Sequence, residues 1–158
     1  MKRLGTSNVG TMRGREADII AWMSEAGIDT MCVQEHRLNG GDRTVMERAA
    51  AEAKYRVMWG EEDWTLAGAP TRGVAIITRS QGYKVIDEGM PDPYRVVAMK
   101  TYRAGQRPLL IVCVYGHSGE NRAIERSRLI GQTTRWAVST GEDFILLGDW
   151  NEEEDEGT

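Results

Sequence analysis

A mixed α/β fold, with a sheet covered by helices, follows from three features of the chain. Short apolar or alternating runs that suit strands are separated by stretches with the 3.6-residue periodicity of helices. Their order is β-α-β-α-β, then several strands joined by short turns, then α-β. Neither an internal repeat nor a linker interrupts the 158 residues, so one domain with a real core is expected.

Taken in order, residues 3–9 are short and β-compatible and end at Asn8-Val9-Gly10. Residues 14–27 read as a helix: Ile19, Ile20 and Met23 share a face, Arg15, Glu16 and Glu25 are polar, and Gly27 is a stop. Residues 29–34 form a strand that runs into Glu35-His36, with His36 expected in solvent beside Glu35. Residues 42–53 read as a helix with Val45, Met46, Ala49, Ala50 and Ala53 inward. Residues 55–59 are a strand and 60–70 a polar loop. Residues 72–78 are a strand, with 83–86 placed as its hairpin partner, and Pro91 and Pro93 mark a loop. Residues 94–102 and 109–115 are strands joined by a turn containing Gly105. Residues 120–138 make a long helix with Ile124, Ser127, Ile130, Thr134 and Ala137 inward. The arginines 122, 126, 128 and 135 form its solvated face. The five tryptophans (22, 59, 64, 136 and 150) are expected as packing residues. Residues 144–149 close the sheet.

Composition narrows the class. Hydrophobic content is 41% and charged content 28%, ordinary for a soluble globular chain. No stretch approaches the roughly 18 apolar residues that would span a bilayer. No apolar segment follows Lys2 and Arg3, which argues against a signal peptide. Cys32 and Cys113 each sit in an apolar run and read as buried free thiols; a disulfide stays open, and metal-binding spacing is absent. Reduced thiols point to an intracellular location, nuclear or cytoplasmic. The net charge is −4, and residues 152–156 supply five acids in an acidic tail. Without them 20 basic face 19 acidic residues, +1, so no strong basic field advertises nucleic-acid binding.

Strand ends carry the chemistry. Phe144-Ile145-Leu146-Leu147-Gly148-Asp149-Trp150-Asn151 is an apolar run that delivers an acid and an amide on one face. Gly, Asp and Asn are also the commonest turn residues, so this stretch alone does not choose between a site and a turn. Asn8 and Glu35 end two other strands, and Tyr115-Gly116-His117-Ser118 ends a fourth. Oxygen ligands of this kind suit Mg²⁺, and a tyrosine hydroxyl can bond a phosphate oxygen. The set is coherent for hydrolysis of a phosphodiester or a phosphomonoester. Singly, each has a plainer reading: Asn8 as a turn residue, Glu35 as a solvated strand end, Tyr115 as a strand aromatic, His117 as a loop residue.

Asn8-Val9, Cys32-Val33-Gln34-Glu35, Gly73-Val74-Ala75-Ile76, Val114-Tyr115 and Leu147-Gly148-Asp149-Trp150-Asn151 occur in the order and approximate spacing of the endonuclease/exonuclease/phosphatase superfamily. The chain resembles that superfamily over essentially its whole length. The opening Asn-Val-Gly-Thr-Met-Arg-Gly-Arg, with Ile28-Asp29, is most similar to the apurinic-type endonuclease domains of non-LTR retrotransposons. The resemblance implies a four-layer α/β/β/α sandwich of deoxyribonuclease I type, Mg²⁺ or Mn²⁺ as cofactor, and DNA as partner. It implies metal-side ligands at Asn8 and Glu35, a phosphate-contacting Tyr115 and a supporting Arg95. It further implies that Asp149 orients or deprotonates the attacking water and that Asn151 is its partner on phosphate or metal.

Two departures stand out. Some relatives carry an acid or amide where this chain has Gly10. The family also places a further Asp and a Ser-Asp-His segment well beyond the Gly-Asp-x-Asn motif. These 158 residues contain neither, and only His36 and His117 as histidines. The expectation is a partial domain over residues 1–151, C-terminally truncated, followed by the acidic tail 152–158, with little hydrolysis of its own. The alternatives are a non-catalytic retroelement remnant or interaction module, and a phosphomonoesterase of the same superfamily.

Overall fold

The computed structural model describes residues 3–62, 73–79, 82–102, 104–116 and 122–149. Strand β1 (Leu4–Asn8) leads into helix α1 (Glu16–Glu25), strand β2 (Thr30–Gln34), helix α2 (Gly40–Glu52) and strand β3 (Arg56–Trp59). Strands β4 (Val74–Thr78), β5 (Tyr83–Val85), β6 (Val96–Thr101) and β7 (Leu109–Tyr115) follow, then helix α3 (Ala123–Ser139) and strand β8 (Asp143–Asp149).

The strands form two sheets of four, ordered β1-β2-β4-β3 and β5-β6-β7-β8. Parallel pairs occur where a helix makes the crossover, β1 with β2 through α1 and β7 with β8 through α3. The layers follow from side-chain alternation. On β2, Met31 and Val33 face α1 and α2, packing with Ile19, Ile20, Met23, Met46 and Ala50. Cys32, between them, faces the other sheet and packs with Ile76, Met99, Ile111 and Cys113. On β7, Leu110, Val112 and Val114 face away from that layer and pack with Leu129, Trp136 and Ala137 of α3. The result is an α/β/β/α sandwich. Strands buried on both faces read as unbroken apolar runs, which is why β2, β4 and β7 stand out in the sequence.

Both cysteines are free and buried, in the layer between the sheets. The Cys32 thiol is pushed well above its usual range by its hydrogen bond with Cys113, then by burial, and then by the charge of Cys113. Among the described residues no helix is long and apolar enough to cross a membrane.

Several expectations need correction. Residues 83–85 are not the hairpin partner of β4; they pair with β6 in the second sheet. The buried face of α3 is Leu129, Thr133, Trp136 and Ala137, leaving Ile124 73% exposed. Trp136 decides that face: its indole donates from Nε1 to the Glu88 carbonyl (2.9 Å) and packs at Gly89, anchoring the helix one residue away from the expected register. Val45 is 53% exposed because Met46 and Ala50 take the inward line of α2. Trp22 is half-exposed, lining a groove of about 270 Å³ with Ile19 and Met31. Trp64, Trp150, His117 and the tail lie outside the described residues.

Candidate active site

The C-terminal ends of β1, β2, β7 and β8 meet at one end of the sandwich, where side chains hydrogen-bond from sheet to sheet. Asn8 ends β1 and donates from Nδ2 to Oδ2 of Asp149, the last residue of β8 (2.7 Å). Tyr115 ends β7 and donates its hydroxyl to Oε1 of Glu35, directly after β2 (2.5 Å). Residues as far apart as 8 and 149 meet because each parallel crossover returns its strand in the same direction.

Each side chain is held by local backbone. The Gly10 N–H donates to Asn8 Oδ1 (3.1 Å), which fixes the amide so that its nitrogen faces Asp149. The Gly116 N–H donates to the Asp149 carbonyl (2.6 Å), tying the ends of β7 and β8. At Gly148 a Cβ would lie 1.8 Å from the Val114 carbonyl oxygen, so only glycine lets β8 approach β7 closely enough to place Asp149. Tyr115 is 2% exposed, its ring within the core between the sheets and its hydroxyl at the site. Arg95 precedes β6; its guanidinium donates to the Tyr115 carbonyl (3.2 Å) and lies 5.4 Å from the Tyr115 ring centroid.

Glu35 has φ +59° and Arg37 φ +55°, both in the left-handed region. The second Glu35 oxygen lies 3.7 Å from the Arg37 guanidinium. His36, between them, is 1% exposed, not in solvent as the sequence suggested. Its ring lies over Gly73 and meets Trp59 edge to face, with centroids 5.0 Å apart. Nδ1 accepts the Leu38 N–H (2.9 Å). Burial, and then the charge of Arg43, lower its pKa to about 3 against the opposing pull of the Val74 backbone, which favours the protonated ring. His36 is therefore neutral at physiological pH and cannot exchange protons with a substrate from where it sits.

Of the residues singled out from the sequence, Asn8, Glu35, Tyr115, Asp149 and Arg95 gather at this end, and Asn151 lies outside the described residues. Arg37 joins them unpredicted; its place after Glu35 was the only signal. Among the described residues no three His, Cys, Asp or Glu side chains assemble as a metal site. The two carboxylates at the strand ends are oxygen donors that fit a hard divalent cation sharing its shell with water and phosphate, while Asn8 gives its amide N–H to Asp149 and its oxygen to the Gly10 N–H.

The sequence model of the Endonuclease/Exonuclease/phosphatase family matches residues 5–158. No curated protein matches the chain. Solved structures with the same fold include an AP endonuclease from Archaeoglobus fulgidus, 21% identical with a TM-score of 0.69 over 96% of this chain and 58% of that one. A 3′ phosphatase, NExo, from Neisseria, bound to a product DNA hairpin, is 20% identical with a TM-score of 0.71 over the same shares, 96% and 58%. A humanized TDP2 from D. rerio is 16% identical with a TM-score of 0.66 over 90% of this chain and 57% of that one. The chain thus spans a little over half the length of each of these three structures.

Proposed function

The chain belongs to the endonuclease/exonuclease/phosphatase family, and on that premise we propose that it carries one part of an Mg²⁺- or Mn²⁺-dependent phosphodiesterase centre that acts on DNA, of the apurinic type found in retroelements. The observation that carries the reading is the pair of cross-sheet hydrogen bonds, Asn8 to Asp149 and Tyr115 to Glu35, which collects two carboxylates, an amide and a phenol at one end of the sandwich. Residues 1–151 are the domain portion, and 152–158 an acidic tail that would repel a polyanion near the cleft.

Asn8, Glu35, Asp149 and Asn151 would hold the cation. When bound, it supplies electrostatic stabilisation, polarising a phosphoryl oxygen and offsetting charge on the leaving oxygen. The chain's own groups do the rest. Asp149 accepts the proton of the attacking water, and the Asn8 amide N–H holds that carboxylate in one orientation. The Tyr115 hydroxyl, which bonds Glu35 in this structure, stands where it can contact a phosphate oxygen, with Arg95 behind it. Asn151 steadies the phosphate beside Asp149.

These 158 residues hydrolyse little by themselves. Among the described residues no histidine is offered to the leaving oxygen, because His36 is buried and neutral; His117 does not belong to a Ser-Asp-His segment. The test is plasmid nicking with Mg²⁺, comparing the chain with Glu35→Ala and Asp149→Ala. Background-level nicking in all three is expected. Robust cleavage lost in both variants overturns the claim of low activity and upholds the site; cleavage unaffected by either substitution overturns the site. A phosphomonoesterase is the second reading, favoured by the 3′ phosphatase among the similar folds. Release of phosphate from a 3′-phosphorylated oligonucleotide, without nicking, would select it.

A further inference from the structure

We propose that His36 is a positioning residue that sets the direction of the Glu35 carboxylate, by pinning the turn after β2 against Gly73 and Trp59. The inference deepens the reading above, in which Glu35 is a cation ligand.

The turn holds two residues in an unfavourable conformation. Glu35 and Arg37 both hold left-handed φ values, a conformation that is unfavourable for a residue with a Cβ and persists only where surroundings over-determine it. The surroundings converge on His36. Its Nδ1 accepts the Leu38 N–H at 2.9 Å, and its carbonyl accepts the Met12 N–H at 3.0 Å. The Glu35 N–H in turn donates to the Gly73 carbonyl at 2.9 Å. The ring lies so close over Gly73 that a Cβ there would meet Cε1 and Nε2 at 2.5 Å. Trp59 closes the other approach, at 73° to the ring.

Neither half of the imidazole suffices. A flat ring is needed to fit over Gly73, and an acceptor at the δ position is needed for the Leu38 N–H. Phenylalanine supplies the first alone, and asparagine the second alone. With the ring seated, the Glu35 backbone is held where its Oε1 receives the Tyr115 hydroxyl. His36, being buried, touches neither substrate nor reacting atoms; it acts through Glu35.

The experiment has a metal-free arm and a metal arm. In the first, the chain is labelled with ¹³C-carboxyl glutamate and the Glu35 resonance is followed as Tyr115→Phe removes the hydroxyl. In the wild-type background the resonance moves. In His36→Ala, with the turn released, the same substitution moves it by less than half as much, and His36→Asn restores part of the response. Gly73→Ala, whose methyl displaces the ring, reproduces His36→Ala and replaces it if that variant is unfolded by circular dichroism. An equal response in the wild type and in the folded variants overturns the proposal. In the second arm, free Mn²⁺ is measured by electron paramagnetic resonance. His36→Ala weakens binding about tenfold, the scale on which residues supporting a ligand act, and adds nothing once Glu35→Gln is present. If Glu35→Gln leaves Mn²⁺ binding unchanged, the cation reading falls, and His36 is judged on the carboxyl resonance alone.

Discussion

Acid should destabilise this protein through His36, by an amount the structure sets. The folded pKa is about 3, against an ordinary value of 6.5. Between those values the unfolded chain binds a proton that the native state refuses. Stability therefore rises with pH across this window, is complete above about 6.5, and is lost as pH falls towards 3. At about 1.4 kcal/mol per unit, the full window is worth roughly 5 kcal/mol, and a drop to pH 5 costs about 2 kcal/mol. That is a large share of a typical domain stability of about 5–15 kcal/mol. The assay is urea unfolding at pH 7.5 and pH 5, for the wild type and His36→Phe. The variant has its own deficit at pH 7.5, since the buried Leu38 N–H loses its acceptor, at about 1–3 kcal/mol. The informative quantity is the difference between the two pH effects, in which carboxylates and His117 cancel. The wild type should lose about 2 kcal/mol more than His36→Phe on going to pH 5. Equal losses would refute the argument that burial beside Arg43 keeps this imidazole neutral.

Two further outcomes follow from the strand ends. Gly148→Ala places a methyl 1.8 Å from the Val114 carbonyl oxygen, a backbone atom that cannot step aside. Its cost should exceed about 3 kcal/mol by denaturant unfolding, as the end of β8 separates from β7, and a loss below about 1 kcal/mol would contradict the close approach. Asn8→Ala removes the N–H that bonds Asp149 and should cost about 1 kcal/mol, little of it additive with Asp149→Ala in a double-mutant cycle. Full additivity would mean that this one of the bonds between the sheets contributes nothing in solution.

The order of elements was legible in the sequence because its periods were clean. Strands buried on both faces, such as Val74–Thr78 and Leu109–Tyr115, appear as apolar runs, and α1 shows its inward line of Ile19, Ile20 and Met23. Asn8, Glu35, Tyr115 and Asp149 were legible as well, as polar residues ending such runs in a familiar order. Weak periods misled. Helix α3 is mostly polar, so several faces looked equally inward until the Trp136 indole met Glu88. The segment Tyr83–Val85 is too short to declare its partner, and pairing with β6 rather than β4 is a choice between sheets, not within one.

Local sequence thus determined which segments are strands and helices and which residues stand at their ends, because alternation and helical spacing are properties of neighbouring residues. Only the tertiary structure decided that the ends of β1, β2, β7 and β8 coincide, since that depends on two sheets packing face to face with their crossovers on opposite outer sides. It alone turned His36 from an expected solvent residue into a buried peg. The two residues that cover it, Trp59 and Gly73, lie 23 and 37 positions away, beyond the reach of any local pattern.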